Sequence, residues 1–88
     1  MQLDPVEMKP VLNRLKRARG QLDAVISSVE NGQECKVAVQ NLSAVSRALD
    51  RAGFAIISKT LQHRLQDTEG PATEEDLKEI EKMLLSLA

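Results

Sequence analysis

Apolar residues recur at helical spacing in three stretches of this chain. In the first, Leu12, Leu15, Leu22, Val25, Ile26 and Val29 repeat with the period of one helix face. Asp4-Pro5-Val6-Glu7 reads as the start. Asp4 can cap, Pro5 suits the first helical position, and Glu7 stands where a capping-box acid stands. Pro10 lacks a backbone donor, so the helix firms up or kinks there. Asn31-Gly32 supplies a stop, which gives a first helix over about residues 5–31.

The second stretch covers about residues 34–66. Val37, Val39, Leu42, Val45, Leu49, Ala52, Ile56, Leu61 and Leu65 mark one broad apolar side, and Ala38, Ala44, Ala48 and Ala55 allow close helix approach. Gly53 costs about 1 kcal/mol against Ala, too little to break so long a helix, so it marks a bend at most. Gly70-Pro71-Ala72 is a linker. Thr73 then caps a third helix, about 74–87, with Glu74, Glu75 and Asp76 favourable to its dipole and Leu77, Ile80, Met83, Leu84 and Leu87 on one side. The expected fold is all-α, one domain of two long helices and one short one.

Composition changes this picture in one respect. Apolar residues make up 42% of the 88, yet there is one Phe and no Trp or Tyr. Such a chain buries little surface alone, and helices this long for its size point to a bundle of several copies. One cysteine excludes an internal disulfide or a Cys-based zinc finger. No apolar run approaches the roughly 18 residues of a membrane helix. Met1-Gln2-Leu3-Asp4-Pro5 lacks the build of a signal peptide, so a cytoplasmic protein without a membrane partner is expected.

Charge separates the chain into unlike parts. Residues 1–66 carry ten Lys/Arg against six Asp/Glu, 10 − 6 = +4, whereas residues 67–88 carry two against seven, 2 − 7 = −5. Lys9, Arg14, Lys16, Arg17 and Arg19 follow one another with no intervening acid, a self-repelling cluster that a polyanion such as DNA would relieve. The plainer account is a solvated helix face.

Catalysis has little to work with: no Gly-rich phosphate loop, no paired-acid cleft and nothing to form an oxyanion hole. An enzyme is not expected. Cys35 opens the second helix, where unpaired N–H groups and Lys36 favour a thiolate while Glu34 opposes it. It is equally readable as a small buried filler. His63 lies off the Leu61–Leu65 line and reads first as a partly exposed ordinary histidine, second as a ligand or pH switch.

Leu12-Asn13-Arg14-Leu15-Lys16-Arg17-Ala18-Arg19-Gly20-Gln21-Leu22-Asp23, then Cys35, Leu42-Ser43-Ala44-Val45 and Leu49-Asp50-Arg51-Ala52, resemble the copper-sensitive operon repressor family (CsoR/RcnR/FrmR-like) in register and without a gap. The resemblance covers about residues 10–66. It implies a repressor of operator double-stranded DNA without a helix-turn-helix, built as an antiparallel bundle dimer and a dimer-of-dimers tetramer. It places DNA contacts on Arg14 and Arg51, extended by Lys9, Lys16, Arg17 and Arg19, with shape readout of the operator.

The resemblance also defines a sensor region in which this sequence departs from its relatives. The copper-binding members use a Cys at the position of Cys35, then a His and a Cys on the partner's second helix, which fall here on Thr60 and Arg64. The outer positions fall on Glu34 and Lys82. Thr is a poor soft-metal ligand and Arg is none, so no copper cofactor is expected; His63 would serve only if the helix rotated by about 100°. The persulfide branch needs a second Cys, at Thr60. The formaldehyde branch needs an N-terminal Pro, and position 2 is Gln. The expectation is a repressor whose inducer is sensed around Cys35, Thr60 and Arg64, a thiol-reactive or other non-copper signal. The alternatives are a helical interaction module without specific DNA binding, or a formaldehyde- or metal-responsive member with a non-standard site. The sequence leaves open whether the acidic third helix packs on the body or regulates access.

Overall fold

A computed structural model describes residues 1–66 and 70–88 of the chain. Three α-helices follow one another: α1 (Lys9–Glu30), α2 (Cys35–Gln66) and α3 (Glu74–Leu87). The all-α expectation holds, and α2 and α3 begin and end within a residue of their expected bounds.

The start of α1 differs. Residues 5–8 form a separate turn, because a continuous helix would need an N–H from Pro10. The Asp4 carboxylate instead accepts from Val6 N at 2.9 Å, and the Asp4 carbonyl accepts from Met8 N at 2.9 Å. Glu7 does not complete a capping box; its carboxylate pairs with His63. Regular helix begins once Pro10 sits in the first turn, where a missing donor costs nothing.

The stop at Asn31-Gly32 is a full Schellman motif. Gly32 adopts φ +64, and Gln33 N and Gly32 N return to the carbonyls of Ser28 and Val29 at 2.9 and 3.2 Å. The chain then reverses, and α2 runs antiparallel along α1. The capping box of α3 is complete, with Asp76 N donating to Thr73 Oγ1 at 3.1 Å and Thr73 N to Asp76 Oδ2 at 3.0 Å.

Both α1 and α3 pack on α2, and among the described residues they do not pack on each other. The hairpin core is thin: Met8, Val11 and Ala52 form its centre, flanked by Leu15, Ala55 and Ile56. Gly53 marks no break. It is the seat of α3, where a Cβ would stand 2.9 Å from a Leu87 methyl.

Much apolar surface stays bare. Leu12, Leu22, Ile26, Val29, Val39, Leu42, Leu49 and Phe54 are all exposed. The molecule measures 55 × 26 × 13 Å with a radius of gyration of 16.9 Å. A compact chain of this length would have about 12 Å. One copy is therefore an open, elongated slab rather than a closed core.

Candidate nucleic-acid interface and sensor region

The α1–α2 hairpin has two unlike faces, and helical geometry explains both. On α1, the core residues Val11, Ala18 and Val25 divide Arg14, Arg17 and Gln21 on one side from Leu12, Leu22, Ile26 and Val29 on the other. On α2, Val45 and Ala52 face α1, with Arg51 to one side and Val39, Leu42 and Leu49 to the other.

The polar side closes into a groove of about 500 Å3 between the helices, lined by Arg14, Arg17, Arg47 and Arg51 over a floor of Ala18, Ala44 and Ala48, with Gln21 at its wall. The small alanine side chains keep the groove open. No acidic residue lines it, so the four guanidinium groups concentrate positive charge there, the arrangement that attracts phosphate. The apolar side carries a shallow hollow of about 170 Å3 lined by Leu3, Pro5, Met8, Val11, Leu12, Leu15 and Ile56.

The structure divides the expected basic cluster. Arg14, Arg17 and Arg51 converge on the groove, whereas Lys9, Lys16 and Arg19 do not line it. They stand about 140–160° from Arg14 around the α1 axis. Arg47 joins the groove although it lies outside the basic run of α1. Its signal was its spacing: Arg47 and Arg51 are one turn apart, with Ala44 and Ala48 between them and α1.

The sensor region is laid out along α2. Cys35 is the first residue of the helix and is exposed. Thr60 is buried, and its hydroxyl donates to the Ile56 carbonyl at 2.7 Å. Arg64 is engaged at the base of α3: its guanidinium donates to the carbonyls of Gly70 and Pro71 at 2.9 and 3.1 Å and pairs with Asp76 at 3.1 Å. The Asp76 carboxyl is held below its usual value of 3.8, chiefly by the Thr73 backbone N–H and further by the Thr73 side chain and the Arg64 charge, against desolvation. Within one chain Cys35 and Arg64 are separated by about 44 Å of helix.

A thiophilic copper site does not fit these residues. Cys35 offers one sulfur, the Thr60 hydroxyl is turned back on its own helix, and Arg64 carries only donors. His63 faces the other way, its Nδ1 lying 3.2 Å from Glu7 Oε2.

An all-helical chain with an arginine-lined groove on one face and bare apolar surface on the other has the build of a small helical nucleic-acid-binding protein. The comparison with known proteins agrees. The chain matches the metal-sensitive transcriptional repressor family over residues 7–86 and belongs to it. It is 39% identical over 54 residues to the copper-sensing transcriptional repressor CsoR of Mycobacterium ulcerans (strain Agy99), which is 61% of this chain and 46% of that protein. With the copper-sensing transcriptional repressor CsoR of Mycobacterium bovis (strain BCG / Pasteur 1173P2) it shares 33% over 54 residues, again 61% of this chain and 45% of that protein. The chain spans about half the length of these relatives. No solved structure matches it significantly. The family is one of transcriptional repressors, not enzymes, and no helix among the described residues is long and apolar enough to cross a membrane.

Proposed function

We propose that this chain represses transcription in the cytoplasm by binding operator double-stranded DNA through the Arg14–Arg17–Arg47–Arg51 groove, and that an inducer sensed around Cys35 releases it. The observation that carries the DNA reading is the groove: four arginines and no acid between two antiparallel helices. It is shaped to follow a phosphate backbone and carries no helix to insert into a groove of the duplex, so operator choice rests on DNA shape.

Assembly follows from the opposite face. The bare stripe of Leu12, Leu22, Ile26 and Val29 on α1, with Val39, Leu42 and Leu49 on α2, suits a second copy packed antiparallel into a bundle. Two such dimers then form a tetramer that presents several arginine grooves to one DNA.

The inducer is a thiol-reactive signal rather than Cu(I). Exposed Cys35 at a helix start is open to an electrophile with a polarised double bond: the sulfur bonds to its carbon as the π bond opens, and the thiol proton passes through water to the atom that takes up the π electrons. Thr60 and Arg64 supply no replacement for the missing copper ligands.

The test is to titrate the reduced, metal-free protein into DNA from its own promoter at two salt concentrations, with Cu(I) or a thiol-reactive electrophile added in separate arms. Selective, salt-sensitive binding that copper leaves alone and the electrophile abolishes is expected, and Cys35→Ser should stay bound. Copper-triggered release would overturn the inducer assignment. Absence of selective binding at either salt would replace the repressor by a helical interaction module.

A further inference from the structure

Asp4, Glu7 and His63 come from the turn before α1 and the last turn of α2, yet the structure brings one ligand atom of each within 4.8 Å of the others. We infer that this cluster is a binding site for one divalent cation of borderline character, of the zinc or cobalt type, distinct from the Cys35 region.

The donor set argues for the class. One imidazole and two carboxylates offer nitrogen and oxygen to a divalent ion, the combination that Zn2+ and Co2+ accept and Cu(I) does not favour. Two carboxylates also match the charge of a divalent cation. The separation of His63 Nδ1 from Glu7 Oε2, 3.2 Å, lies between the donor–donor edges of about 3.0 Å in an octahedron and about 3.4 Å in a tetrahedron with metal–ligand bonds of about 2.1 Å. The Asp4 carboxylate is already oriented, since Oδ1 accepts from Val6 N at 2.9 Å and leaves the second oxygen for a ligand. His63 and Glu7 side chains are 45% and 43% exposed, so water has access to complete the shell.

The position gives the cation a mechanical effect. Pro10 uncouples residues 5–8 from the regular helix, so this turn is held to α2 by Met8 and by the His63–Glu7 pair. A cation shared among the three groups ties the turn to the end of α2 more firmly than one ion pair. Cys35 is about 42 Å away along the same α2, so the two sites are chemically separate within a chain.

The test uses the full chain carrying Cys35→Ser, which removes thiolate binding, and no DNA, so its failure is distinct from failure of the repressor reading. Equilibrium dialysis against Zn2+ is expected to give one saturable site per chain. Glu7→Gln and His63→Ala should each weaken it by about tenfold or more with helix content unchanged by circular dichroism. Since His63 is the one histidine of the chain, added Co2+ should shift and broaden its imidazole resonances in the parent, and Glu7→Gln should need a correspondingly higher Co2+ concentration. Binding within twofold of the parent in both variants would overturn the site. So would no saturable Zn2+ binding below the millimolar range, which would leave Asp4, Glu7 and His63 as an ion-pair cluster only.

Discussion

Arg47→Ala gives the sharpest test of the groove, because the residue lies outside the basic run of α1 and reaches the groove from α2. The side chain is exposed, and its hydrogen bond to Ser43 Oγ is long at 3.5 Å. Its removal should therefore leave the fold intact. If the four groove arginines each neutralise one phosphate, the logarithm of the binding constant falls with the logarithm of salt at a slope of about −3.6 per chain. Between 50 and 200 mM salt that is a loss of about 150-fold per chain. With Arg47 gone the slope becomes about −2.7 and the loss about 40-fold. The variant should thus shed about 0.9 of slope for every chain that contacts the DNA, at every operator sequence alike. Fluorescence anisotropy at four or five salt concentrations measures this, with Lys82→Ala on α3 as a control that should leave the slope unchanged. A fall in affinity at constant slope would mean that Arg47 does not meet phosphate. An equal drop in slope for Lys82→Ala would mean that any surface cation behaves this way and that the groove has no special role.

Four further outcomes follow from the geometry. If two copies pack through the bare stripe as proposed, Leu42→Glu should split them: burying a leucine there would be worth about 2 kcal/mol, counted twice in a symmetric dimer, so dissociation should strengthen by about a thousandfold, read by sedimentation velocity. Thr73→Ala should cost about 1 kcal/mol of α3 docking, visible as faster amide exchange across Glu74–Leu87 with α1 unchanged. Arg64→Ala should release the same segment, since one guanidinium holds Gly70, Pro71 and Asp76 together, while the salt slope of DNA binding stays the same. Because the folded Asp76 value is lowered, its contribution is complete above the usual carboxylate value of 3.8 and is lost as pH falls through the lowered one. Exchange from α3 should therefore rise in acid in the parent, and Asp76→Asn should lack that step.

Local signals carried most of the fold. Thr73 followed by Asp76 and Asn31 followed by Gly32 act through bonds to near neighbours, so capping chemistry alone located both helix ends. The start of α1 was harder, because Asp4, Pro5 and Glu7 imitate a helix start while Pro10 postpones it, and the competition is settled by which donors exist. Gly53 could not be read from propensity at all. Its purpose is the approach of Leu87 from a helix that begins twenty residues later in the chain. The basic cluster shows the same limit. Five cations on α1 lie within residues 9–19, but a helix sends Arg14 and Arg17 to one side and Lys16 and Arg19 to the other. The partner arginines come from α2, and only the antiparallel register decides that they are Arg47 and Arg51.

Arg64 shows why the family resemblance and the local chemistry of this chain diverge. The resemblance implies a ligand position for it, but a guanidinium donates and does not ligate. Here it has three acceptors, all at the junction of α2 and α3. It fixes the acidic third helix to the end of α2. Any signal that works through α3 must break the Arg64–Asp76 pair, whereas a signal at Cys35 acts at the far end of α2, beside the bare apolar stripe of Val39 and Leu42. If two copies meet through that stripe as proposed, modification of Cys35 would alter their meeting rather than the fold of one copy. The two possibilities separate in a single comparison: an electrophile at Cys35 should change the sedimentation of the protein while amide exchange across Glu74–Leu87 stays constant, and a loss of α3 protection without a change in sedimentation would place the signal at Arg64 instead.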